Sequence, residues 1–289
     1  MSDIPTIVSS FVAIYAPAED LFPGPDSENV KSGELCKRWI ANDHTLIKAK
    51  DGRWHAFGIV GPETRILHEG TWMAFHAMSP GFPLREAIAG LWEEHPKVLP
   101  PAERSNERRE LWAPFVVERD GIYYMFYGPC EMRLAISTDL FRWEPRGACF
   151  AQQGHARDPW VTEVGGVAHM VYAAGESVWL RTSADLRAWS DPREIFRMRR
   201  PGIPESPVII ERRGWFYLFW TLYDGDNGSY DNRTFVYVSR TPYDFRAAEE
   251  VAVVLAHAPE LIEDEEGRWF ITSAEWPRRG VSIASLEWR

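Results

Sequence analysis

One pattern recurs five times along the chain, and it constrains the fold more than any other feature. Four copies read WAPFVVERDGIYYMFY from Trp112, RDPWVTEVGGVAHMVY from Arg157, ESPVIIERRGWFYLFW from Glu205 and HAPELIEDEEGRWFIT from His257. A fifth, NDHTLIKAKDGRWHAF from Asn42, fits if His44 takes the place of the proline. Each copy has a proline (His44 in the fifth), an apolar run, a short polar stretch, a glycine and then an aromatic run. The step from Pro114, Pro159 and Pro207 to Gly121, Gly166 and Gly214 is seven residues each time. From Pro259 to Gly267, and from His44 to Gly52, it is eight.

The pattern predicts a strand, a tight turn at the glycine and a second strand, because glycine supplies the positive φ that hairpin turns require. A third strand-like run follows in every copy. The prolines 114, 159, 207 and 259 are 45, 48 and 52 residues apart, which matches the repeat length of a propeller blade. The interval from His44 to Pro114 is 70 residues and holds an insertion around 80–110. The sequence therefore predicts an all-β fold, one domain over residues 1–289 forming a five-bladed β-propeller. Its blades start near 42, 112, 157, 205 and 257, and residues 1–41 form an N-terminal extension packed on it. Unrelated strands of a sandwich are the alternative, but five aligned copies argue against them. Residues 6–16 are expected to supply an outer strand of the last blade, since the chain stops after three strands there.

Composition agrees. The 14 Trp, 15 Phe and 10 Tyr among 289 residues suit flat side chains on strands, and 21 Gly with 21 Pro suit many turns. A formal charge of −10 argues against nucleic acid or an anionic membrane as partner. No apolar run reaches the roughly 18 residues of a membrane span. The start lacks the basic, apolar pattern of a signal peptide. Cys36, Cys130 and Cys149 are odd in number and lack CxxC spacing, so a reducing, cytoplasmic setting is expected. No GxSxG, P-loop, GxGxxG or HExxH occurs, and the eight histidines include no i, i+4 pair.

In a propeller the first strand of each blade lines the central channel, so the residues just before it converge on one mouth. Those pairs are Asn42-Asp43, Trp112-Ala113, Arg157-Asp158, Glu205-Ser206 and His257-Ala258. Three blades are thereby expected to place Asp43, Asp158 and Glu205 at equivalent positions, with Trp112 and His257 from the other two. Convergent carboxylates beside an aromatic wall suit glycosidic bond cleavage. One acid protonates the leaving oxygen, and one carboxylate activates water or attacks the anomeric carbon. Crowding raises the pKa of such groups and keeps one protonated near neutral pH. Further expected substrate contacts are Asn42, Arg157, His76, Tyr230 and Asn232. Each has a structural rival: Asp43 as a turn cap, Asp158 as an ion-pair partner, Trp112 as core.

Over residues 42–289 these motifs resemble the five-bladed glycosidases of glycoside hydrolase family 43, whose clan includes family 68 and is related to family 32. The resemblance implies that Asp43 is the general base or nucleophile, that Asp158 in Arg157-Asp158-Pro159 tunes the acid, and that Glu205 in Glu205-Ser206-Pro207 is the general acid. It also puts His257 near the central channel, where some members hold a calcium ion; no cofactor is required. The chain departs from the family in having His44 after Asp43 instead of proline, and it differs from family 32 in lacking the C-terminal β-sandwich that family carries. The implied activity is hydrolysis of a small furanose- or pentose-type glycoside, inverting if the Asp43 and Glu205 carboxyls lie ~6.5–9.5 Å apart and retaining at ~5–5.5 Å. Alternatives stay open. One is a β-fructofuranosidase-like retaining enzyme or phosphorolysis, the latter with Arg133, Arg157, Arg233 and Arg278 as conceivable phosphate ligands. The other is a propeller that binds carbohydrate without cleaving it.

Overall fold

A computed structural model describes residues 2–81, 83–223 and 232–289, with His68 by its backbone alone. It is a five-bladed β-propeller. Blade one holds Trp39–Lys48, Trp54–Pro62, Met73–Met78 and Glu93–Val98, paired in chain order. Blade two begins with Trp112–Arg119, Ile122–Gly128 and Cys130–Ser137. Its outer strand is the first part of Glu144–Val164, whose later residues become the inner strand of blade three. Blade three continues with Val167–Ala174, Ser177–Ser183 and Arg193–Arg197. Blade four is Ile203–Arg212, Trp215–Tyr223, Arg233–Ser239 and Glu249–Leu255. Blade five has Leu261–Glu263, Trp269–Ala274 and Val281–Trp288. Among the described residues no helix is long and apolar enough to cross a membrane.

The turns follow from the glycines. In blade two Arg119 pairs with Ile122 across Asp120-Gly121, whose φ values are 53° and 80°. Two consecutive positive φ angles make the turn whose twist matches that of the flanking strands, and glycine adopts the second without strain.

Blades pack face to face, so a strand buries both of its faces. Along Trp215–Tyr223, Phe216, Leu218, Trp220 and Leu222 pack toward blade three, while Tyr217 and Phe219 pack toward blade five. The period of two separates the sets, and both are apolar because neither face meets water. Each of the five interfaces between neighbouring blades has its own apolar cluster. This accounts for the heavy use of aromatics: burying one large apolar side chain contributes about 1.5–3 kcal/mol, and rings fill a flat gap between sheets well.

The N-terminal segment closes the ring. Pro5–Ile7 and Val12–Tyr15 both pair antiparallel with Val281–Trp288, with a break between them. From there the segment reaches across to blade one. Tyr15 stacks on Phe75 with ring centroids 3.9 Å apart, and its hydroxyl donates to Glu94 at 3.0 Å. The last blade is thereby tied to the first.

Candidate active site at the mouth of the central channel

The same irregularity occurs where each blade's inner strand begins. Arg157 pairs with Ala173 and Trp160 with Val171, so three steps on one strand match two on the next. Glu205 and Val208 stand likewise against Thr221 and Phe219, Trp112 and Phe115 against Gly128 and Phe126, and Ala41 and His44 against Val60 and Gly58. In blade five Ala274 N donates to His257 O at 2.9 Å and Thr272 N to Glu260 O at 3.0 Å, the same offset. One extra residue per blade is a β-bulge, which bends the strand and re-aims its side chains. In four blades the residue before the proline has a left-handed backbone: Ala113 at φ 43°, Asp158 at 56°, Ser206 at 47° and Ala258 at 46°. A following proline disfavours the right-handed α region, and of these residues Asp accepts the left-handed one most readily.

This register corrects two expectations. Asp43, not His44, stands level with the prolines, and His44 stands level with Phe115, Trp160, Val208 and Glu260. The cause is the turn of blade one. Lys48 pairs with Trp54, so five residues form the turn where blades two to four use two, and Gly52 falls farther from the strand. The three carboxylates are also not at equivalent positions. Glu205 is level with Trp112, Arg157 and His257, Asp158 is one step further along, and Asp43 two.

They converge nonetheless. Arg157, itself buried, lies with Nε 3.4 Å from Asp158 Oδ2 and 3.7 Å from Glu205 Oε1. Its position is set by Nη2 donating to Pro204 O at 3.2 Å and Nη1 to His155 O at 3.3 Å. Ser206 N donates to Asp158 Oδ2 at 3.1 Å, tying blade four to blade three. His257 Nε2 is 4.0 Å from Asp43 Oδ1. Asp158 is 4% exposed, whereas the Asp43 and Glu205 side chains keep 15% and 25% of their surface open. The inner carboxylate thus sits behind two that solvent reaches.

The electrostatics follow from enclosure and crowding. Burial raises Asp43 well above the carboxylate range, and the charges of Asp158 and Glu205 add to it. Burial brings Asp158 up to about 6 against the pull of Arg157, with Glu205 adding to the rise. Glu205 is raised by burial and opposed by Arg157. Such neighbours titrate as a set, and the set holds a proton into the neutral range.

Beneath them an axial cavity of about 20 Å³ is lined from all five blades, including Asp43, His44, Ala113, Asp158, Ser206 and Glu260. Two of these escaped the sequence reading. Glu260 is buried and its carboxyl is pushed well up by burial, with a Thr45 hydrogen bond opposing. His44 Nε2 is 2.6 Å from Thr272 Oγ1, and burial drives its pKa down to about 3. For Glu260 the available signal was polarity at a repeat position where other blades carry Phe115, Trp160 and Val208, whereas His44 reaches that position only through the register of blade one. Among the described residues no group of three or more His, Cys, Asp or Glu side chains is arranged to hold a metal.

Of the other expected contacts, Trp112 is half-buried and donates Nε1 to Thr71 Oγ1 at 2.7 Å. Asn42 is half-buried beside Asp43 with Oδ1 enclosed. Asn232 is exposed just ahead of Arg233–Ser239, and Tyr230 lies outside the described residues. His76 is not at the mouth. It stacks on Phe57 at 4.5 Å and bonds His55 at 2.8 Å between blades one and two, because its place on the third strand points it at the neighbouring blade. Arg133 is also withdrawn: it is buried, donates to the carbonyls of Arg108 and Glu110 at 3.2 and 2.7 Å, and pairs with Glu107. Arg278 pairs with Glu63.

No protein-family model matches the chain. Solved structures do resemble it. The crystal structure of a thermostable family-43 glycoside hydrolase superposes with a TM-score of 0.66, covering 86% of this chain and 89% of that one at 14% identity. The endo-arabinase from Bacteroides thetaiotaomicron gives 0.67, covering 85% and 94% at 13% identity. Native arabinanase from Bacillus subtilis gives 0.64, covering 86% and 94% at 15% identity. At such identity the likeness establishes the propeller fold. Among curated proteins, a 1,2-beta-oligomannan phosphorylase of Thermoanaerobacter sp. (strain X514) is 28% identical over 139 residues. The match covers 43% of this chain and spans 47% of that protein's length.

Proposed function

We propose that the chain is a glycoside hydrolase acting on a small furanose- or pentose-type glycoside. Glu205 is assigned as general acid, Asp43 as general base or nucleophile, and Asp158 as the carboxylate that tunes the acid. One observation carries the reading: three carboxylates from three blades converge at the channel mouth, two of them on one buried arginine. A binding module has no use for such a set, since each carboxylate is costly to enclose without chemistry to perform. The acid's role is to donate its proton to the leaving oxygen while a second carboxylate acts at the anomeric carbon. Arabinan-directed enzymes among the structural neighbours support a pentose substrate. The free thiols Cys36, Cys130 and Cys149 support a cytoplasmic setting and a small glycoside already imported.

The relative that is a phosphorylase supports a second reading, in which inorganic phosphate replaces water as acceptor. It is weakened by Arg133, whose guanidinium is engaged in structure.

The test is turnover of aryl arabinofuranosides, xylosides, fructofuranosides, galactosides and mannosides by wild type and by Glu205→Gln, with and without phosphate. Loss of about 10²–10⁴-fold in Glu205→Gln is expected for an acid. The loss should shrink on a dinitrophenyl glycoside, whose leaving group needs no proton. An equal loss on both substrates would remove the acid's role from Glu205. Dependence on phosphate would establish phosphorolysis. Silence across the panel would favour the binding module.

A further inference from the structure

Cys130 and His155 meet at the rim of the same mouth, and neither side chain has a part in the chemistry above. Cys130 lies just beyond the second strand of blade two, and His155 lies two residues before Arg157. Cys130 Sγ is 2.9 Å from His155 Nδ1. The thiol is half-buried and the imidazole exposed, so a reagent in solution reaches both. Both residues have left-handed backbones, with φ of 67° and 60°. Non-glycine residues adopt this region at some cost in strain, and such positions gather at functional sites.

We propose that Cys130 and His155 form a nucleophilic thiol–imidazole pair at the pocket rim, a modification site for low-molecular-weight disulfides and soft electrophiles. The requirement is a base within hydrogen-bond reach of the nucleophile, and Nδ1 meets it when the neutral ring carries its proton on Nε2. With a disulfide such as oxidised glutathione, the Cys130 proton passes to His155 Nδ1 and the thiolate attacks one sulfur. The old S–S bond breaks as the new one forms. The departing thiolate takes the proton from the imidazolium, so Cys130 is oxidised and one glutathione is released reduced. The adduct would stand beside His155, whose carbonyl anchors Arg157 Nη1 at 3.3 Å.

The other two thiols are internal controls. Cys36 is buried and burial raises it, while burial pushes Cys149 up to about 11. Both are disposed to remain protonated thiols, the unreactive form.

The experiment treats the full chain at pH 7 with oxidised glutathione, and separately with iodoacetamide, and reads adducts at each cysteine by peptide mass. One adduct at Cys130 is expected, formed at least ~10-fold more slowly in His155→Asn. Asparagine tolerates the left-handed backbone, so that variant is expected to fold. His155→Gln repeats the comparison, and Cys130→Ser must abolish the adduct. Labelling spread over the three thiols, or a Cys130 rate unchanged in both His155 variants, overturns the proposal. Because the readout is mass and not turnover, its failure is distinct from failure of the glycosidase reading.

Discussion

Arg157 Nε stands 3.7 Å from Glu205 Oε1, so a buried cation from blade three faces the carboxylate that blade four delivers. The contact opposes the upward pressure of burial on Glu205. It therefore sets the pH range over which that carboxyl holds a proton.

Replacing this cation moves the pH profile. In Arg157→Met, Glu205 and Asp158 lose the charge that lowers them, and both rise further. With Glu205 as acid, the alkaline limb of the kcat profile should move to higher pH. A profile that only drops in height, with its limbs in place, would assign Arg157 to substrate binding alone.

Asp158 makes stability depend on pH. Its folded pKa, about 6, exceeds the unfolded value near 3.9, so the folded state binds the extra proton between them. The stability associated with that proton is fully present below about pH 4 and is lost as pH rises through about 6. Asp158→Asn should be more stable than wild type at pH 7 by on the order of 1–2 kcal/mol, and no more stable at pH 4. Urea titrations at the two pH values measure the difference.

His55 and His76 act with the opposite sign. Burial lowers His55 to about 4 and lowers His76 further, so both are neutral in the fold. Their contribution is present above the unfolded value near 6.5 and is lost as pH falls toward the folded values. His76→Phe preserves the stack on Phe57 and removes one of the two titrations. Its melting temperature should fall less than that of wild type between pH 6.5 and 4.5.

Ring closure rests on Tyr15. It is 1% exposed, stacks on Phe75 and reaches Glu94 from a strand that belongs to blade five. Tyr15→Ala should cost about 3–5 kcal/mol, the range for truncating a buried aromatic. A loss below about 1 kcal/mol in urea unfolding would mean that the last blade is held by its strand pairing alone.

By itself the sequence determined the propeller and the group of residues at its mouth. Repeats reveal architecture because each blade must bury two faces and turn tightly, so proline, glycine and aromatics return at regular intervals. Pro114, Pro159 and Pro207 carried that signal cleanly, each seven residues ahead of its glycine. Blade one did not, because spacing counts residues and cannot see that its turn uses five of them, which is why Asp43 and not His44 is level with the prolines. Only the tertiary structure decided what the carboxylates face. The bulges let Asp43, Asp158 and Glu205 meet from three different levels, and Arg157 is shared between two of them across a blade boundary. It likewise turned His76 toward blade two, withdrew Arg133 into a buried network and brought Glu260 and His44 to the axis. Direction and proximity depend on register and on the neighbouring blade, and neither is written in the local order of residues.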